Sequence, residues 1–197
     1  MRQYKILGLI STIILAANYF IIGPLIPLGF KEYWFDKYLL SHSSFVFPLA
    51  LIGFYLALFL QVRDIKIPKL INPVAIMLGL AIIKFITDIV QFLGFNYPEI
   101  IRSAIVFALM IVFIIWAIMI IKNKDLSLLK IKRFASSMLI GHIIVFLFSF
   151  ANILFKAWIY NLGQQPFEYI NIAYSVYGIG YIFGFLIFIS DSKNTSS

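Results

Sequence analysis

Cysteine is missing from the 197-residue chain, which excludes disulfides, thiolate metal sites, thiol nucleophiles and palmitoylation together. Charge is scarce as well: 12% of residues are Asp, Glu, Lys or Arg, against about a quarter in soluble domains, while 62% are hydrophobic. Such a chain cannot clothe a water-facing surface, and its expected solvent is a lipid bilayer. Histidine is confined to His42 and His142, and the eight carboxylates are too few and too scattered to complete a metal site. The catalytic spacings HExxH, GxSxG and GxxxxGKS do not occur. Neither enzymatic activity nor a cofactor is expected.

What the chain has instead is apolar runs punctuated by basic residues. The net charge of +8 would suit nucleic acid only if Lys and Arg gathered on a water-facing surface, and here they separate hydrophobic stretches, so no nucleic-acid partner is expected. A bilayer core about 30 Å thick takes roughly 20 apolar residues per helical crossing. The sequence therefore predicts one all-α domain over 1–197, a polytopic bundle of six transmembrane helices at about 5–27, 43–62, 70–95, 99–121, 134–158 and 168–189. Arg2 and Lys5 precede an apolar run longer than a signal-peptide core and without a small-x-small cleavage site, which reads as an uncleaved first helix. Between the third and fourth spans, Asn96-Tyr97-Pro98 supplies the turn chemistry.

Orientation follows from the short loops. Arg2, Lys5, Arg63, Lys66, Lys69, Lys122, Lys124, Lys130, Lys132, Arg133 and Lys193 fall on one side, whereas the other has Lys31 and Lys37 balanced by Glu32 and Asp36, then Arg102 and Lys156. The bias predicts cytoplasmic N- and C-termini, in a bacterial or archaeal cytoplasmic membrane or an organellar inner membrane. Tyr33, Trp34, Phe35 and Tyr38 suit headgroup depth on the outer side. The segment 122–133 alternates basic residues with Leu126, Leu128, Leu129 and Ile131, a pattern suited to anionic headgroups.

Polar side chains inside a span are costly unless they face protein or water, so they mark the interior. Lys84, Thr87, Asp88 and Gln91 share one face of the third helix, and Lys84 and Asp88 are spaced to pair. The fifth helix places His142, Ser149, Asn152 and Lys156 in line, the sixth Asn171, Tyr174, Ser175, Gly178 and Tyr181, and the first Ser11 and Asn18. The second and fourth carry no such stripe. The first, third, fifth and sixth are thus expected to enclose an interior, with the second and fourth turned to lipid. A candidate ligand site follows, opening to the outer face and built from Lys84, Asp88, Gln91, Asn152, Lys156, Asn171, Tyr174 and Ser175.

For Ser11, Asn18, Ser149 and Ser175 plain interhelical packing is favoured over a ligand role, and His142, near the basic side, is expected to pack rather than act. For Lys84 and Asp88, structural pairing and functional use weigh evenly. Gly180 and Gly184 form a GxxxG pair, expected to pack within the molecule rather than drive dimerisation.

In length, helix number and orientation the chain is similar to the substrate-binding subunits of energy-coupling-factor vitamin transporters, an architectural analogy carried by no motif. Those proteins dock through an AxxxA motif in the first helix, which Ala16-Ala17 does not fill. The leading expectation is a ligand-binding or transport-associated subunit whose partners are the bilayer, a small molecule and other membrane-protein subunits. The alternative is a non-catalytic interaction protein, such as a toxin-immunity protein or an accessory subunit of a membrane complex.

Overall fold

The computed structural model describes residues 3–20, 40–93, 99–161 and 167–189, with side chains outside 40–45, 91–92, 148–174 and a few further positions. Among these residues the chain is all-helical. Its six helices are α1 (Gln3–Phe20), α2 (Leu40–Ile65), α3 (Pro68–Phe92), α4 (Glu99–Lys122), α5 (Leu129–Asn161) and α6 (Phe167–Phe188). Each packs on its neighbour in sequence and α6 returns to α1, so the six form a closed ring.

One end of the ring gathers the basic residues, because α2 turns directly into α3 and α4 into α5 there. Lys66 adopts the left-handed conformation (φ 60°) that terminates α2, its N–H bonded to the Arg63 carbonyl at 3.0 Å, and Pro68 opens α3 where no N–H is needed. At the second turn, Asp125 caps a 3-10 turn (Leu126–Leu128) by accepting the Ser127 N–H at 2.8 Å. That bond holds the exposed Asp125 carboxyl below its usual range. The tyrosine hydroxyl of Tyr4 donates to Asp64 at 2.6 Å, tying the start of α1 to the end of α2.

The third and fourth helices are separate, α3 ending at Phe92, three residues before the expected limit, and α4 beginning at Glu99 as expected. The limits also differ at the start of α5, which begins at Leu129, so the basic-apolar segment ends inside the first turns of that helix. The aromatic loop 31–39 lies outside the described residues, as do the links 94–98 and 162–166.

Among the described residues three helices are long and apolar enough to cross a bilayer, over Val46–Ile65, Pro68–Val90 and Ser103–Lys122, and Ser175–Phe188 is a shorter apolar stretch. Isoleucines such as Ile10, Ile13, Ile76, Ile83, Ile86 and Ile115 stand about half-exposed on the outside of the ring. A surface this apolar belongs against lipid or protein rather than water, and the chain is membrane-associated.

Helix α2 overturns one expectation. It is the most buried of the three spans, 50% against 22% for α3 and 28% for α4, and it sends Leu51, Phe54, Tyr55, Leu58 and Val62 into the core. A missing polar stripe did not mean exposure to lipid, because a packed protein interior and a lipid tail are equally apolar. Small residues set the spacing elsewhere. A Cβ at Gly184 would meet Phe134 and Thr12 at 3.3 Å, and one at Gly180 would strike Met138, so the GxxxG pair packs α6 against α5 and α1 within the molecule.

Candidate functional site

The buried stripe of α3 changes character along its length. Leu70, Val74, Met77 and Ala81, four, three and four residues apart, point into the core, and the next positions in the same rhythm are Lys84 and Asp88. Thr87 beside them is buried at 7% exposure, while Ile82, Ile83 and Ile86 on the far side are exposed. The charges therefore lie on the inward face, with side-chain exposures of 16% and 12%.

Lys84 Nζ lies 2.5 Å from Asp88 Oδ2, an ion pair made one helical turn apart as the spacing anticipates. The Thr87 hydroxyl donates to the Lys84 carbonyl at 2.7 Å and so does not compete for the carboxylate. With Lys preceding Asp, the pair has the less favourable order relative to the helix dipole, and such pairs add only about 0.2–0.5 kcal/mol to a helix in water. Placing a Lys or an Asp at the centre of a span costs about 2.5–3.5 kcal/mol each on insertion scales. Lys84 and Asp88 lie sixteen and twenty residues past Pro68 in the apolar stretch Pro68–Val90, toward its far end, where that central cost falls.

On the basic side of the pair the ring is filled by aromatic side chains. Phe54 of α2 contacts Tyr55, Phe134, Tyr181 and Phe188 with centroids 5.1–6.1 Å apart. Tyr19 of α1 stacks on Tyr181 at 5.6 Å and tilts against Tyr177 at 5.4 Å. His142 of α5 lies flat on Phe113 (5.1 Å, 9°) and edge-on to Tyr177 (5.1 Å, 88°), with Nδ1 2.7 Å from the Met138 carbonyl. It packs, as expected, but deeper than the basic side: nine residues past Arg133 is about 13 Å of helix. Trp116 is fully buried against Phe113 and Phe134, and its indole N–H finds no acceptor among the described residues.

Depth along the helices separates the two features. Tyr181 sits seven residues before the end of α6 at Phe188, about 10 Å, and Tyr55 ten residues before the end of α2 at Ile65, about 15 Å, whereas Lys84 is fifteen residues past Lys69, about 22 Å. The aromatic layer is a floor, and the ion pair lies beyond it.

Of the remaining sequence-derived site residues, Ser175 is half-buried on α6. The side chains of Gln91, Asn152, Lys156, Asn171 and Tyr174 lie outside the described residues, although their backbones are helical. Gln91 follows Asp88 by three, Asn152 and Lys156 follow His142 by ten and fourteen, and Tyr174 and Asn171 precede Tyr177 by three and six. The structure brings Lys84 and Asp88 together. Sequence reasoning missed the floor, although Tyr174, Tyr177 and Tyr181 recur at helical spacing within one apolar helix. Among the described residues no group of His, Asp and Glu comes together that could hold a metal.

No family model, curated protein or solved structure matches the chain. The site's chemistry rests on its own geometry.

Proposed function

We propose that the chain crosses the membrane six times with both ends cytoplasmic, and that it binds a small charged or polar molecule in an interior opening to the outer face. Lys84 and Asp88 are its charge partners, and the activity is binding, as in a transport-associated subunit, without catalysis. The observation that carries this reading is the ion pair on the inward face of α3, at the position where the apolar core stripe would otherwise continue. A purely structural helix keeps that stripe apolar, because a well-packed hydrophobic pair is commonly as stable as a buried ionic one. The polar registers of α5 and α6 run toward the same end of the ring.

A second reading draws on the outside of the same helix. Ile76, Ile83 and Ile86 expose one apolar face that suits the helix of a partner protein, as in a toxin-immunity protein or an accessory subunit.

Thermal unfolding of the chain in nanodiscs separates the two. Lys84→Met and Asp88→Leu each remove one member of the ion pair and should each lower stability by about 3 kcal/mol, whereas the double variant should recover most of the loss. A metabolite class that raises the unfolding temperature of the native chain, and fails to raise that of the double variant, supports binding. If no class acts and the double variant keeps its cellular activity, the pair is structural and the partner-protein reading stands. Additive losses would mean that the two side chains do not act on each other.

A further inference from the structure

At the basic end, the start of α5 and the end of α6 frame a groove lined by Lys130, Arg133, Phe183, Leu186 and Ile189. We propose that this groove is a binding site for one anionic glycerophospholipid, with the headgroup phosphate held by Lys130 and Arg133 and an acyl chain lying along Phe183 and Leu186. The inference rests on the chain lying in a membrane with this end at an interface, and is independent of any ligand at Lys84 and Asp88.

The groove joins two chemistries in the order in which a phospholipid presents them. Its cations sit at the helix ends, where the headgroups of a surrounding bilayer lie. Its apolar wall runs inward from there, Phe183 being six residues, or about 9 Å, deeper than Ile189. The Lys130 ammonium donates to the Ile189 carbonyl at 3.2 Å, which fixes it at the lip of the groove. Arg133, one turn further along α5, is exposed and presents a planar fork that matches a phosphate. The carboxylate of the adjoining turn, Asp125, is engaged in capping Ser127. Two cations over an apolar wall select a headgroup with net negative charge, because the trimethylammonium of a choline lipid would be brought toward both.

Native mass spectrometry of the detergent-solubilised chain, titrated with phosphatidylglycerol and with phosphatidylcholine of identical acyl chains, tests the site. The native chain should retain phosphatidylglycerol preferentially. K130Q/R133Q should weaken that retention at least tenfold, given about fivefold per cation near an anionic surface, and leave phosphatidylcholine unchanged. K122Q/K124Q removes the same charge from the same side and should change it less than threefold. K130R/R133K should restore binding, which separates a lost contact from a lost fold. Equal weakening by the two Gln pairs would overturn the groove in favour of diffuse attraction to the loop, as would equal retention of both lipids. Competition by glycerol phosphate at the concentration of the lipid would overturn it in favour of a free-phosphate site. Release of the chain from membranes by alkaline carbonate would refute membrane insertion itself.

Discussion

Phe54 offers the most direct measurement of how this ring holds together. Its side chain is fully buried on α2 and touches aromatic rings from α2, α5 and α6. In a water-soluble protein Phe→Ala costs about 3–5 kcal/mol, of which part is transfer of the ring from water and part is the cavity left behind. In a bilayer the separated helices are already in an apolar solvent, so the transfer part falls away and the cavity part remains. Losing about 100 Å³ at about 24 cal/mol per Å³ gives about 2.4 kcal/mol. Leu56, two residues on and 37% exposed, faces the other way, and lipid can refill the space left by Leu56→Ala, so its loss should stay below about 0.5 kcal/mol by the same reasoning. Unfolding by sodium dodecyl sulfate titrated into mixed micelles, read by circular dichroism, gives both values. If Leu56→Ala costs as much as Phe54→Ala, the buried face of α2 is wrongly placed and the ring order falls with it.

A Cβ at Gly8 would lie 2.6–2.7 Å from the buried ring of Phe188, so Gly8→Leu should lower stability in the same titration by about 1–3 kcal/mol. Gly79→Ala, with nothing within 4 Å, should be neutral or stabilising. Trp116→Phe gives up no hydrogen bond within the described residues and should change the unfolding midpoint by no more than about 1 kcal/mol, whereas Trp116→Ala should cost about 2–4 kcal/mol through its cavity. Reporter domains fused after Arg63 and Lys130 should be cytoplasmic and one inserted near Gln164 external, and reversed labelling at two of these sites would refute the topology.

The sequence carried the helices and the Lys84–Asp88 pair because both depend on local rules: apolar length between charged or turn-forming breaks, and the four-residue spacing that superposes side chains on one face. Which apolar face turns inward was not legible. Phe54 and Leu56 look alike to a hydropathy scale, and only the neighbouring helices decide that one meets Phe134 and the other faces outward. The aromatic floor was hidden for a related reason, since it joins residues as distant as Tyr19 and Tyr181. Small residues gave an intermediate signal: the GxxxG pair marked α6 for close approach, while the partners, Phe134, Met138 and Thr12, emerge from the fold alone.

The closure of the ring by α6 against α1 has a consequence for biosynthesis. Gly8 and Thr12, on the first of the six helices, find Phe188 and the Gly184 face only when the sixth has been made. Until then α1 holds α2 alone, through Ser11 at Gly53 and Tyr4 at Asp64, and its other flank is an open seam. Contacts of such high sequence separation form late and slowly. A nascent chain stalled anywhere before α6 therefore presents that seam to whatever else occupies the membrane, and quality-control factors that recognise unfilled helix flanks would distinguish an incomplete copy from a finished one by α1 alone.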